Sequence, residues 1–153
     1  MVIREAGLLL RGFTLINGFY HQTSDDPIDK DLRSGLLTAM LNFAETAFSS
    51  ESIEYFEGKK YVVAFTSGTI MAEDSIDPEP LTAYCILDKE KKIDKFISKI
   101  ITPLLKRIIE EFKSLYEGRN CSEISQFKDF KTNLDKIFGM QTKKLDERVK
   151  GVF

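Results

Sequence analysis

The side chains that most often do enzyme chemistry are sparse in this chain. There is one histidine, His21, two cysteines, Cys85 and Cys121, and two clusters of acids. Nucleophilic catalysis needs a Ser or Cys within reach of a base and a third group to orient that base. His21 falls at the end of an apolar run, and no Ser-His or Cys-His pairing follows from its spacing. A zinc site needs several His or Cys ligands at short intervals. One His and two cysteines 36 residues apart cannot supply it. The acids Asp25, Asp26, Asp29 and Asp31 lack the alternate-ligand spacing, central Gly and terminal Glu of a calcium loop. Helix capping accounts for them better. Glu73, Asp74, Asp77 and Glu79 read as a solvated acidic loop, with a basic partner as the sharper alternative. Gly7 and Gly12 have the separation of two P-loop glycines, but no Gly-Lys-Ser/Thr follows. No metal, no cofactor and no catalytic residue is therefore expected, and the chain is not read as an enzyme.

The elements that would have to position any site are clearer. The chain has 153 residues, the size of one domain. A domain of this length buries roughly 70% of its unfolded surface and needs no disulfide or metal. Apolar residues make up 42% and charged residues 30%, which suits a soluble globular protein. Two scattered cysteines give no disulfide framework and fit a reducing compartment. The N-terminus lacks a basic region followed by an apolar core, so no signal peptide is expected. No apolar run approaches the ~18 residues a membrane span needs, and the C-terminus carries no prenylation motif. These features predict a cytoplasmic protein.

Residues 1–88 carry 6 basic and 14 acidic side chains, a net of −8, while residues 89–153 carry 16 basic and 10 acidic, a net of +6. Lys-rich solvated helices explain much of this split. Partner steering is the functional alternative. The acidic first half argues against nucleic acid.

Val2 to Leu10 and Phe13 to His21 are apolar runs separated by Arg11-Gly12, which reads as a hairpin. Asp26-Pro27 resembles an N-cap with proline at the first helical position. Apolar residues at Leu32, Leu36, Leu37, Met40, Phe43, Ala44, Ala47 and Phe48 then give a helical period. Ser52 to Glu57, Lys60 to Thr66 and Leu81 to Leu87 read as three more strands, with Ser67 to Pro80 as a long acidic loop. Lys89 to Glu117 is the strongest helical signal. Its apolar residues keep a 3-1-3-1 spacing from Ile93 to Tyr116. Pro103 lies inside and should kink it, and Gly118 should stop it. Ser125 to Phe138 predicts a shorter helix stopped by Gly139. Residues 1–138 read as one domain, and 139–153 as a short polar tail.

The order ββαβββαα, with one long helix after the fifth strand, resembles the longin-domain family. That resemblance covers residues 1–138 and rests on topology. It implies an α+β fold, longin- or profilin-like. A five-stranded antiparallel sheet in the order 2-1-5-4-3 would carry one helix on one face and two on the other. A chain that starts with strands is closer to longin than to roadblock, which starts with a helix. The resemblance implies a non-catalytic interaction subunit, forming a homodimer or pairing with a second longin- or roadblock-type chain. The pair would be a platform for a small GTPase or a vesicle-trafficking complex. Longin domains often pair through the first helix and third strand, which here would use Phe43, Phe48, Ile53, Tyr55 and Phe56. Too little chain follows residue 138 for a SNARE helix, so a free-standing longin subunit is expected. It would reach a membrane only peripherally, through its complex. The alternative is a small-molecule sensor of PAS, GAF or profilin-like type, with a ligand held against the sheet.

Overall fold

The structure is a computed structural model that describes residues 3–10, 13–20, 37, 39, 55–58, 60–121 and 124–139. Five strands form one antiparallel sheet: β1 (Ile3–Leu10), β2 (Phe13–Phe19), β3 (Tyr55–Glu57), β4 (Tyr61–Ile70) and β5 (Glu79–Asp88). The order across the sheet is β2-β1-β5-β4-β3. The fold is α+β, and the sheet order is the one the longin resemblance implies. The Arg11-Gly12 turn, His21, the Asp26-Pro27 cap and most of the first helix lie outside the described residues. Leu37 and Ala39 are helical.

β1 and β5 are central and read as nearly continuous apolar runs, as strands covered on both faces do. Alternate residues split between two clusters. Ala6, Leu8 and Leu10 of β1 join Leu81, Ala83, Cys85 and Leu87 of β5 in the main core. Leu9 and Tyr84 point the other way and pack with Leu37, flanked by Val63, Phe65 and Ile86. Two irregularities adjust this alternation. The register shifts between Ile3 and Glu5, which puts Ile3 on the main-core face beside Ala6. A second shift opposite Leu8 and Leu9 leaves Leu15 as an extra residue on β2. Leu15 and Ile16 then both reach the main core, as adjacent residues at a bulge can.

β4 and β5 are longer than the sequence suggests. Ser67-Gly68-Thr69-Ile70 continues β4 and pairs with Glu79 to Thr82. The expected loop of residues 67–80 shrinks to residues 71–78. Polar side chains made this stretch look like loop. Gly68 pairs with Leu81 in the strand, and a helix crosses it closely: a Cβ there would lie 2.9 Å from Ile109.

The long helix departs from a simple kink. It begins as α1 (Ile93–Phe96), passes through a π-helical turn (Ile97–Ile101) and continues as α2 (Thr102–Tyr116). Pro103 sits in the first turn of α2, where a missing N–H costs least. The π turn just before it absorbs the register change. α2 packs on β4 and β5. Gly118, at φ 84°, follows its end as expected, and its N–H donates to Met71 O at 2.8 Å. The last segment is not one uniform helix. Ile124–Phe130 is 3-10, and α3 spans residues 131–139, with Gly139 still helical. Phe112 anchors this end, with ring centroids 4.7 Å from Tyr116 and 5.2 Å from both Phe127 and Phe130.

Candidate interaction surface

Among the described residues, β3 is one edge of the sheet, paired only with β4: Tyr55 opposes Ala64, Phe56 opposes Val63 and Glu57 opposes Val62. Strand alternation sends its two aromatics to opposite faces. Tyr55 is half-buried against the main core. Phe56 stacks on Phe65 at 5.3 Å, on the face that holds Tyr84. Glu57 pairs with Lys89 at 3.5 Å, and Lys89 Nζ also donates to Gly58 O at 3.3 Å. Both charges are well exposed, so the pair contributes little stability. It ties the chain just past the end of β5 to the β3 edge. Tyr55 and Phe56 thus sit on this edge, while Phe43, Phe48 and Ile53 lie outside the described residues.

The opposite face contains a buried polar seam that sequence reading missed. Tyr84 donates a short hydrogen bond to the Glu5 carboxyl. The two residues are 1% and 2% exposed. Gly7 makes room for the phenol: a Cβ there would lie 2.9 Å from the Tyr84 ring and 2.5 Å from Ile16 O. Asn17 opposes Gly7 on β2, and its Nδ2 is buried with no hydrogen-bond partner among the described residues. Further along this face the hydroxyls of exposed Ser67 and buried Thr82 meet at 3.0 Å. Tyr84 and Glu5, sealed from solvent, do not meet a dissolved substrate and fix strand register and packing. Glu5 and Tyr84 are 79 residues apart, and no local signal connects them.

Two further contacts lock strand ends. Arg4 grips Asp88 with two hydrogen bonds of 2.8 and 2.9 Å. This bidentate geometry holds the guanidinium proton more tightly than usual. Tyr20 donates to Asp135 at 3.0 Å, tying the end of β2 to α3. Burial, reinforced by Asp135, pushes the Tyr20 hydroxyl well above its ordinary range. Burial likewise pushes the Cys85 thiol up, with Glu5 adding to the shift. Cys85 and Cys121 are both free and buried.

The acidic loop is pinned rather than loose. Glu73 N donates to Arg119 O at 3.0 Å, and Ser75 Oγ accepts from Ala72 N and donates to Glu79. This arrangement leaves Ile76 92% exposed. On β2, Phe13 and Phe19 are each 62% exposed. Among the described residues no three His, Cys, Asp or Glu are grouped to hold a metal. No described helix is long and apolar enough to cross a membrane. No protein-family model matches the chain, and no curated protein matches it in sequence.

Proposed function

We propose that this chain is a non-catalytic protein–protein interaction module of longin type. The observation that carries this reading is the sheet order β2-β1-β5-β4-β3, with a three-residue β3 at one edge. In this order the third strand is an edge of the sheet, the position through which the longin resemblance would have it pair. Packing of Leu37 with Leu9 and Tyr84 supports a first helix on the sheet face opposite α2. In this reading the domain pairs with a second copy, or with a longin- or roadblock-type chain. The joined surface serves a small GTPase or a vesicle-trafficking complex in the cytoplasm. Phe43, Phe48, Ile53, Tyr55 and Phe56 form the pairing surface on the β3 side. The Tyr84 ring occupies the space above Gly7, which favours this reading over a sensor with a ligand on that face.

Light scattering coupled to size exclusion, over a concentration series, tests it. A mass rising toward twice 17.5 kDa supports self-pairing. A mass fixed at 17.5 kDa throughout removes self-pairing and leaves the reading dependent on a different partner chain.

A further inference from the structure

The long helical segment carries its charges unevenly. Residues 91–107 hold six basic side chains and one acid, whereas residues 108–117 hold one basic side chain and three acids. Toward its end the segment behaves as a solvated helix does, with cations matched by acids four residues on. Arg107 pairs with Glu111 at 3.1 Å and Lys113 with Glu117 at 3.6 Å. Toward its start the cations are unmatched. Lys91, Lys92, Lys95, Lys99 and Lys106 are exposed, and none of them has an ion pair among the described residues. Lys95 and Lys99 stand four residues apart, a spacing at which like charges cost helix stability.

Packing fixes where these charges point. Lys95 lies between buried Ile93 and Ile97, and Lys99 between buried Ile97 and Ile101. Two residues on from a buried position is the far side of a helix, so both lysines face away from the sheet. Lys106 precedes buried Ile108 by two residues and continues the outward side. From Lys92 to Lys106 the row runs about 20 Å at the rise of a helix. Ile100, 37% exposed, and exposed Pro103 add uncharged surface to the same stretch. Lys92 enters the helix at φ 62°, the one left-handed residue other than glycine among those described. Lysine holds that conformation at a cost glycine avoids, so stability does not account for a lysine there.

We propose that this outward helix face, carried by Lys92, Lys95, Lys99 and Lys106, docks on an anionic lipid bilayer. The inference goes beyond the pairing reading and does not depend on it, because the chain itself meets the membrane surface. A convex row of point charges with no cleft suits a fluid layer of headgroups, whose phosphates move to meet each lysine. Close recognition of a carboxylate or phosphate on a folded partner draws on the rigid fork of arginine, and nucleic acid strands draw on aromatic stacking. The unpaired cations here are all lysine, and no exposed aromatic ring lies among them. Each lysine brought near an anionic bilayer strengthens binding about fivefold. The attraction is confined to about 10 Å at 0.1 M salt, so the face that meets the lipid decides the affinity more than the net charge of the chain.

Co-sedimentation of the full chain at about 0.1 M salt tests this, with vesicles of pure phosphatidylcholine and vesicles containing about 30% phosphatidylserine. Two triple variants remove the same charge. One carries Lys95→Gln, Lys99→Gln and Lys106→Gln on the helix face; the other carries Lys128→Gln, Lys131→Gln and Lys136→Gln on the last helical segment. All these positions are exposed, so melting temperatures should stay within a few degrees of native. Lys92→Gly, which relieves the left-handed backbone, keeps the test alive if a triple variant fails to fold, and should weaken binding about fivefold. The expected result is sedimentation with the phosphatidylserine vesicles alone, lost at about 0.5 M salt. The helix-face triple should bind about a hundredfold more weakly, and the other triple within a few-fold of native. Equal loss in both triples reduces the effect to net charge and overturns the assignment. So does a native chain that ignores phosphatidylserine vesicles or sediments equally with both kinds. Tighter binding to a DNA or RNA oligonucleotide than to the vesicles, in the same salt, overturns it in favour of nucleic acid. None of these results bears on the molar mass of the chain, so the pairing reading stands or falls separately.

Discussion

Tyr84→Phe isolates the buried seam. It removes one oxygen and keeps the ring that packs over Gly7. Tyr84 is 1% exposed and Glu5 is 2% exposed, so water does not replace the lost donor. A buried polar group deprived of a partner costs about 1–3 kcal/mol. Glu5 has another interaction besides Tyr84, so its carboxyl is not orphaned, and about 2 kcal/mol is the expected loss. Urea slopes for small proteins are about 1–3 kcal/mol per molar, so the unfolding midpoint should fall by about 1 M with the slope unchanged. A double-mutant cycle with Glu5→Gln sharpens the result. Tyr84→Phe should cost clearly less in the Gln background, because the partner is no longer a carboxyl. A Tyr84→Phe loss below about 0.5 kcal/mol, the lower bound for a net hydrogen bond, would refute the reasoning.

Three other perturbations probe the frame. Phe112→Ala empties the centre of the ring cluster at the end of α2, where Phe112 is fully buried. A loss of about 3–5 kcal/mol is expected, and calorimetry should show a melting temperature lower by about 10 °C or more. Thr102→Val removes a buried hydroxyl with no partner among the described residues, at the junction of the π turn and α2. Thermal unfolding should show no loss and a gain of up to about 1 kcal/mol, whereas a loss above 1 kcal/mol would mean that the hydroxyl is bonded. Alkali should destabilise the fold. Cys85 and Tyr20 have folded pKa values raised above 9.0 and 10.0. The unfolded chain therefore releases protons that the native chain keeps. Their stabilisation is complete below about pH 9 and declines above it, by about 1.4 kcal/mol per pH unit for each group ionising only in the unfolded state. Urea titrations at pH 8 to 10.5 should show the decline, and Cys85→Ala should delay its onset to about pH 10.

Much of the architecture is legible in the sequence because it is written in local periodicity. The 3-1-3-1 spacing from Ile93 to Tyr116 marks the long helix, and Gly118 marks its stop. The features that sequence reading missed depend on distant partners. Ser67 and Gly68 look like loop residues until Thr82 supplies a hydroxyl and Ile109 demands a residue without a Cβ. Glu5 looks like the polar side of a strand until the register with β5 brings Tyr84 over Gly7. Pro103 signals a disturbance but not its form, because a kink and a π turn both accommodate a missing donor. The interface candidates divide the same way. Alternation puts Tyr55 and Phe56 on opposite faces of β3, but that β3 is a sheet edge emerges only from the strand order.

The central claim is that the domain joins another copy of itself through a sheet edge. Amide hydrogen exchange, read peptide by peptide in dilute and concentrated solution, tests it most directly, because backbone groups at a joined edge exchange only when the pair opens. The account predicts that amides of Tyr55 to Glu57 gain protection with concentration while those of central β5 stay constant. Exchange at Tyr55–Glu57 that does not change with concentration would contradict it.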